Sequence, residues 1–187
     1  MRYPSSNKTY QKKVSHANRG MALEELINDA NKYYLDNNIA IIYKKSTPIG
    51  IVNVKNDKSS KTITKAYFKE PSTLDYNGVY KGRYIEFDAK KTENKSFPLA
   101  NISAHQLEHI KNVINHQGVV FIIININQEY YVLTGEKILS FTNSYQRKSI
   151  PIDYIKKNGY KITSYRNILL NYIVVVDEIL EALYEKN

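Results

Sequence analysis

The chain has 187 residues, which is enough for one domain with a hydrophobic core. It has no cysteine, and its longest apolar run, residues 119–124, is too short to span a membrane; disulfides, thiolate zinc sites and membrane spans are therefore excluded, and a cytoplasmic protein is expected. The formal net charge of +9 favours a polyanionic partner, although the abundance of Lys, Asn, Ile and Tyr is also typical of an AT-rich genome.

The N-terminal region is basic and contains no acidic residue before Glu24. Its five basic residues are Arg2, Lys8, Lys12, Lys13 and Arg19. We predict that residues 1–17 form a flexible basic arm, with a solvated tail without a role as the alternative. Residues 18–187 show no internal repeat and are predicted to form a single domain.

Periodic patterns predict one helix and then several strands in the first half of the chain. Apolar residues at helical spacing indicate a helix over residues 20–36. Alternating patterns predict strands at residues 39–43, 49–54, 62–68 and 83–90. The dipeptide Asn77-Gly78 predicts a turn shortly before the last of these strands.

The second half alternates between helices and strands. A polar loop is predicted over residues 91–98. Ser103 then caps a helix, with Gln106 in the third helical position of a capping box, and Gly118 ends this helix. Residues 119–126 are almost all apolar and β-branched, which predicts a central strand covered on both faces. A further strand is expected at residues 130–133, a short helix at 152–157 between Pro151 and Gly159, and a terminal helix over 169–183. The fold class is therefore α/β, with a mixed central sheet flanked by helices.

Two acids and a lysine form the candidate catalytic group. Asp88 and Lys90 share one face of the predicted strand, because side chains alternate along a strand, and Asp75 precedes them across the predicted turn. Magnesium prefers oxygen ligands and typically takes one or two carboxylates, so this group predicts a magnesium-dependent phosphodiester-cleaving site. The backbone carbonyl of Ala89 would add an oxygen if the strand edge is open there.

Simpler explanations exist for the same residues. A charged, alternating strand face is usually solvated, and Glu86, which shares the face of Asp88, is expected to be solvated rather than to flank the site. His105 and His109 are four residues apart, with His116 close to the same helix face. A zinc site there is disfavoured because no nearby carboxylate has a matching spacing, so solvated or DNA-facing histidines are expected.

Several segments, in order over roughly residues 18–160, match the pattern of a known family. They are Asn18-Arg19-Gly20-Met21-Ala22-Leu23-Glu24, Tyr43-Lys44-Lys45-Ser46-Thr47-Pro48-Ile49, Ala66-Tyr67-Phe68, residues 71–82, Phe97-Pro98-Leu99, His105-Gln106 and Arg147-Lys148-Ser149-Ile150. Together these segments resemble the RecU Holliday junction resolvases of low-GC Gram-positive bacteria and mycoplasmas. The resemblance implies a restriction-endonuclease-like core of the PD-(D/E)xK type. It also implies a homodimer that uses Mg²⁺, with Mn²⁺ as an alternative ion, to cut a four-way DNA junction in recombination and repair.

The resemblance assigns roles to individual residues. Asp75 and Asp88 match the two metal-binding acids, although the family usually has Glu at the second position, and Lys90 matches the catalytic lysine. Glu24 matches an acid that reaches the site as an outer ligand. Gln106 matches a catalytic helix position that faces the metal, and its role in the capping box remains open beside that one. In this chain Leu74 replaces a threonine often found before the first acid.

The resemblance also implies a projecting basic stalk at residues 55–65, with an ordinary solvated hairpin as the alternative. Stalk lysines Lys55, Lys58, Lys61 and Lys65 would face the junction centre. The residues expected to contact DNA are Arg19, Lys44, Lys45, Lys58, Lys61 and Lys81. Phosphate contacts add affinity without reading sequence, which suits recognition of branch shape.

The leading hypothesis is a structure-selective endonuclease that resolves Holliday junctions by paired strand cleavage. The alternatives are a non-catalytic junction-binding protein and another nuclease of the same fold. Recombination proteins are further candidate partners that the sequence does not identify, and no membrane partner is expected.

Overall fold

The computed structural model describes residues 23–57, 60–69, 73–164, 168 and 170–185. The helices are α1 Leu23–Asp36, α2 Ala104–Asn115, α3 Gly135–Ser144, α4 Ile152–Asn158 and α5 Tyr172–Tyr184. The strands are β1 Ile41–Lys44, β2 Ile49–Asp57, β3 Ser60–Phe68, β4 Tyr76–Tyr80, β5 Arg83–Thr92, β6 Ser96–Pro98, β7 Val119–Ile126, β8 Glu129–Thr134, β9 Ser149–Pro151 and β10 Tyr160–Lys161. The predicted arm, Arg19, Lys58 and Leu169 lie outside the described residues.

A six-stranded sheet forms the centre, in the order β1-β4-β5-β7-β8-β10. The β5–β7 pair is parallel and the other pairs are antiparallel, so the sheet is mixed, as predicted. All eight residues of β7 are buried, which confirms the predicted central strand. None of the helices in the described part of the chain has the length and apolar character needed to cross a bilayer.

The two faces of the sheet bury separate apolar clusters. On one face α1 and α5 cover Ile85 and Phe87 of β5. The Phe87 ring stacks on Tyr76 and Phe121 with centroids 4.9 Å apart in both pairs, and burying such a ring contributes roughly 1.5–3 kcal/mol. On the other face α2, α3 and α4 cover the alternate residues of β7 and β8. Glu86, Asp88 and Lys90 lie on this second face, because side chains alternate along β5.

A long exposed hairpin leaves the central sheet. β2 and β3 pair only with each other, and every residue of β3 is exposed. The register shifts between Ile51 and Val54, which is typical of a β-bulge. The stalk predicted at residues 55–65 is the outer part of this hairpin, which extends over residues 49–68. We call residues 49–68 the stalk below.

The predicted turn at Asn77-Gly78 is wrong. Both residues lie inside β4, and the hairpin turns instead at Lys81 and Gly82, which have φ angles of 48° and 74°. Glycine is required at Gly78 because β1 approaches closely there: a Cβ atom would lie 2.7 Å from the Cα atom of Ile42. The dipeptide therefore marks a close approach between strands, not a turn.

Three further elements differ from the predictions. The helix before Gly118 ends at Asn115, and Gln117, with φ of 61°, is the residue in the left-handed conformation. Within the segment predicted as a polar loop, β6 pairs with β9. Helix α3 was not predicted, since Gly135 stands at its first position; it forms because Ile138 and Phe141 are buried against the sheet.

Candidate active site

Asp75 and Asp88 meet at one end of the β4–β5 hairpin. Tyr76 pairs with Phe87, so the antiparallel register extended by one residue places Asp75 opposite Asp88. The two carboxyl groups are close enough for Asp88 to raise the pKa of Asp75. Lys90 lies on the same face of β5 as Asp88, and its Nζ atom is 2.8 Å from Asp88 Oδ2. The structure therefore brings together the three residues on which the catalytic prediction depends.

The surroundings of Asp75 raise its pKa. Burial, then the negative charge of Asp88 and the hydrogen bond with its carboxyl group, raise the pKa of Asp75 above its ordinary value. The positive charges of Lys90 and Lys44 act in the opposite direction but do not outweigh these effects. Two closely spaced carboxylates therefore favour a bound cation, which relieves their mutual repulsion.

Gln106 forms the predicted capping box of α2 and also contacts the second acid. Its Oε1 atom accepts a hydrogen bond from the Ser103 backbone at 3.1 Å, and the Ser103 hydroxyl accepts one from the Gln106 backbone, which completes the capping box. Its Nε2 atom donates to the Thr73 carbonyl at 2.7 Å and to Asp88 Oδ2 at 3.2 Å. The start of α2 is thus tied directly to the second acid.

Glu24 and Lys44 form an exposed ion pair at the edge of this group. The ammonium group of Lys44 bonds to Glu24 on α1, and its charge also acts on Asp75. The contact that the structure shows for Glu24 is therefore with Lys44, and its role as an outer acid stays a prediction.

Glu86 is buried, and the expectation that it is solvated is wrong. Its side chain is 0% exposed and has four polar partners. They are Lys45, Thr73, Tyr84 and His109. Burial alone would raise the pKa of Glu86, but the hydrogen bonds with Lys45 and His109 outweigh it, so the pKa lies below its ordinary value. Glu86 is thus held as a carboxylate two residues from Asp88.

The described residues fit a magnesium ion better than a zinc ion. They contain no group of three His, Cys, Asp or Glu side chains able to hold a metal, and His105 and His109 bond to Ser103 and Glu86 instead. The aspartate pair offers the one or two carboxylates that magnesium typically takes. β5 pairs with β4 only as far as Phe87, so the edge beside Ala89 is open on that side, as the predicted carbonyl ligand requires.

Comparison with known proteins identifies the family. A family model described as Recombination protein U matches residues 18–178 of the chain. Holliday junction resolvase RecU from Bacillus mycoides (strain KBAB4) is 47% identical over 180 residues, which cover 92% of this chain and 90% of that protein. The chain belongs to the RecU family.

Other matches include one more relative and one solved structure. Holliday junction resolvase RecU from Bacillus cytotoxicus is 46% identical over 177 residues, covering 91% of this chain and 88% of that protein. The structure of Archaeoglobus fulgidus Hjc, a Holliday junction resolvase from an archaeal hyperthermophile, has a TM-score of 0.45 and 9% sequence identity. It covers 74% of this chain and 94% of that one.

Three lysines that the RecU resemblance assigns to DNA form ion pairs within the chain, and one of them is Lys44, which pairs with Glu24. Lys45 bonds to the buried Glu86 and is only 23% exposed. Lys81 lies in the β4–β5 turn, at the opposite end of the hairpin from Asp75, and its Nζ atom is 2.6 Å from Asp177 Oδ1. Lys61, by contrast, lies in the exposed strand β3.

Leu74 departs from the RecU pattern, and the structure explains what it does. Its side chain is fully buried in the cluster beneath α2, together with Phe97, Ile102 and Ile110. The residue before the first acid therefore packs in the core, although its sequence position suggested the edge of the site.

Sequence reasoning missed the Glu86 group. The available signal was strand parity, since Glu86 must share the face of Asp88. Nothing local indicated that Lys45, Thr73 and His109, which are 41, 13 and 23 residues away along the chain, converge on it.

Proposed function

We propose that this protein is a magnesium-dependent endonuclease that resolves Holliday junctions by cutting two opposed strands. The observation that supports this most directly is the convergence of Asp75, Asp88 and Lys90 at one end of a hairpin, in a chain of the RecU family. The relatives are named Holliday junction resolvases, which identifies the substrate class we propose. The same family membership supports a restriction-endonuclease-like core.

Each residue of the candidate site has a chemical task in this proposal. Asp75 and Asp88 would hold the Mg²⁺ ion, and Gln106, proposed from the sequence as a further ligand, orients Asp88 through its amide nitrogen while its oxygen serves the helix cap. The ion supplies neutralisation of the charge that develops on the phosphate. Lys90, 2.8 Å from Asp88, is close enough to orient the attacking water or to donate to a phosphate oxygen. Glu24 acts from outside, through its ion pair with Lys44.

The proposed DNA surface extends from the site along the stalk. Lys61 lies on the exposed stalk and Lys44 is at its base, where both can reach phosphates. Arg19 and Lys58 remain proposed contacts outside the described residues. Lys44, Lys45 and Lys81 would first have to leave Glu24, Glu86 and Asp177 respectively. We further propose a two-fold homodimer, because two opposed strands must be cut.

Replacing Asp75 with Ala tests the site. We expect the cleavage rate of a synthetic four-way junction in Mg²⁺ to fall at least about 100-fold, because one of two metal-binding carboxylates is lost. Asp88→Ala should behave in the same way. Asp36→Ala is the matched control, since Asp36 is an exposed acid on α1 that pairs with Lys32. Undiminished cleavage by Asp75→Ala would refute the site assignment.

Two outcomes of the same assay would favour the alternatives. Junction binding in EDTA, with no cleavage at any Mg²⁺ or Mn²⁺ concentration, would indicate a non-catalytic junction-binding protein. Equal cleavage of a linear duplex and a four-way junction would indicate another nuclease of the same fold.

A further inference from the structure

The two oxygens of the Glu86 carboxylate serve different neighbours. Oε1 accepts from the Lys45 ammonium group and, at 2.9 Å, from the Thr73 hydroxyl. Oε2 accepts from the Tyr84 hydroxyl at 2.9 Å and lies 2.6 Å from His109 Nε2. The carboxylate is therefore saturated by polar partners while being fully buried. Burying a charged carboxylate costs free energy unless the geometry of its hydrogen-bond partners is well maintained.

The partners of Oε1 mark the two ends of the stalk. Lys45 directly follows β1 and lies four residues before the stalk, and Thr73 lies five residues after its last residue, Phe68. The two also contact each other, because Lys45 Nζ donates to the Thr73 hydroxyl oxygen at 2.5 Å. One carboxylate oxygen on β5 thus holds both roots of the stalk together.

One root of the stalk contacts a proposed metal-binding acid directly, and the other is linked to the second acid through Gln106. The Lys45 backbone N–H donates to the Asp75 carbonyl at 2.7 Å. The Thr73 carbonyl accepts from Gln106 Nε2 at 2.7 Å, and the same amide donates to Asp88 Oδ2 at 3.2 Å. A displacement of either root would therefore change the environment of Asp75 or Asp88.

We propose that Glu86 is a positioning residue. Through Lys45 and Thr73 it holds the two roots of the stalk in place, and it thereby maintains the distance between Asp75 and Asp88. Glu86 contacts neither the substrate nor the metal in this scheme. The inference rests on the proposed nuclease function, because it assigns metal binding to the two aspartates. Residues that orient metal ligands without touching the metal typically change metal affinity or activity by about 10–100-fold when they are replaced.

A purely structural buried ion pair is the competing explanation. In that case the loss of any one hydrogen bond to Glu86 would lower the melting temperature and leave the metal affinity of the folded protein unchanged. The side of the carboxylate on which the bond is lost would not matter. The positioning role, in contrast, requires the Oε1 side to matter more than the Oε2 side.

Thr73→Val tests the inference, with Thr73→Ser and Tyr84→Phe as matched controls. Thr73→Val removes the hydroxyl between Lys45 and Glu86 at nearly constant volume, and Thr73→Ser retains it. Tyr84→Phe removes a hydroxyl bonded to Oε2, away from the stalk. The full-length proteins are compared by calorimetric titration with Mg²⁺ without DNA, by junction binding in EDTA and by single-turnover junction cleavage over a range of Mg²⁺ concentrations.

We expect Thr73→Val to weaken Mg²⁺ binding and to raise the Mg²⁺ concentration for half-maximal cleavage, each by about tenfold or more. Junction binding in EDTA should change less than about threefold, since Thr73→Val removes no phosphate contact. The Mg²⁺ affinities of Thr73→Ser and Tyr84→Phe should stay within about threefold of that of the unsubstituted chain. This change is smaller than the roughly tenfold loss expected for Thr73→Val. Unchanged Mg²⁺ binding by Thr73→Val, or an equal loss in Tyr84→Phe, would overturn the inference.

The two proposals fail separately in this experiment. If the unsubstituted chain does not cut the junction, the proposed function fails, and the titration without DNA still tests whether Thr73 controls the metal site. If the unsubstituted chain cuts and Thr73→Val cuts equally well at every Mg²⁺ concentration, only the positioning role of Glu86 fails.

Discussion

At the residue scale, Gln106 joins the start of α2 to the candidate site, because the oxygen and the nitrogen of its side-chain amide bond to different groups. Its oxygen caps α2 through Ser103, and its nitrogen holds Asp88 and the Thr73 carbonyl. Because an amide both donates and accepts, neither a carboxylate nor an alkyl side chain could replace it in both roles. The two roles can therefore be separated by choosing which end of the amide is disturbed.

Gln106→Glu should separate the cap from the site. A carboxylate at this position still accepts from the Ser103 backbone, but it cannot donate to Asp88, so junction cleavage should fall at least about tenfold. Ser103→Ala is the complementary variant: it should lower the free energy of unfolding by about 1 kcal/mol and leave cleavage close to its original rate. Urea unfolding and single-turnover cleavage measure the two effects. Equal losses of cleavage in both variants would contradict the separation.

At the element scale, the close approach of β1 to β4 determines where the site forms. Gly78 lies opposite Ile42 in β1 and Ile85 in β5. Gly78 follows Asp75 by three residues in the chain, and the β1–β4 pairing brings Lys44 opposite Tyr76 and Lys45 beside Asp75. A side chain at Gly78 would separate β1 from β4, and the positions of both lysines depend on that pairing.

Gly78→Ala should therefore destabilise the protein more than Gly82→Ala. At Gly78 the new Cβ would meet backbone atoms of β1, and we expect a cost of at least about 3 kcal/mol. At Gly82 nothing lies within 4 Å of the added atom, so only the positive φ of 74° opposes Ala, which costs roughly 1–2 kcal/mol. Chemical denaturation of both variants gives the comparison. A larger loss in Gly82→Ala would show that β1 does not pair closely with β4.

At the scale of the whole molecule, the positive charge is distributed between internal pairs and the stalk. The formal net charge is +9, yet Lys81, Lys156 and Lys161 are paired with acids. The stalk, in contrast, is exposed along β3 and pairs with none of the central strands. Net charge alone therefore identifies a polyanionic partner but not the surface that binds it.

Lys61→Ala tests whether the stalk, and not the net charge of the protein, determines binding to the junction. If Lys61 contacts one phosphate, the slope of log affinity against log salt should become shallower by about one. Lys156→Ala removes the same formal charge from α4, where Lys156 is paired with Glu129, and should change the slope much less. Four-way junction affinity measured from low to moderate salt checks this. The same slope change in both variants would indicate that net charge, not the stalk, determines binding.

Local patterns predicted the parts of this protein that depend on near neighbours in the chain. The apolar run of β7, the capping box at Ser103 and the shared face of Asp88 and Lys90 follow from side-chain periods and capping chemistry, which act over a few residues. The RecU resemblance then selected this acid–lysine group among other charged pairs.

Tertiary structure decided what required partners from distant segments. Strand parity placed Glu86 beside Asp88, but only packing against α2 and the return of Lys45 and Thr73 made it a buried carboxylate. Gly78 has the local signature of a turn, yet the approach of β1 placed it inside a strand. In both cases the deciding contact joins residues more than ten positions apart, where burial and register outweigh local preference.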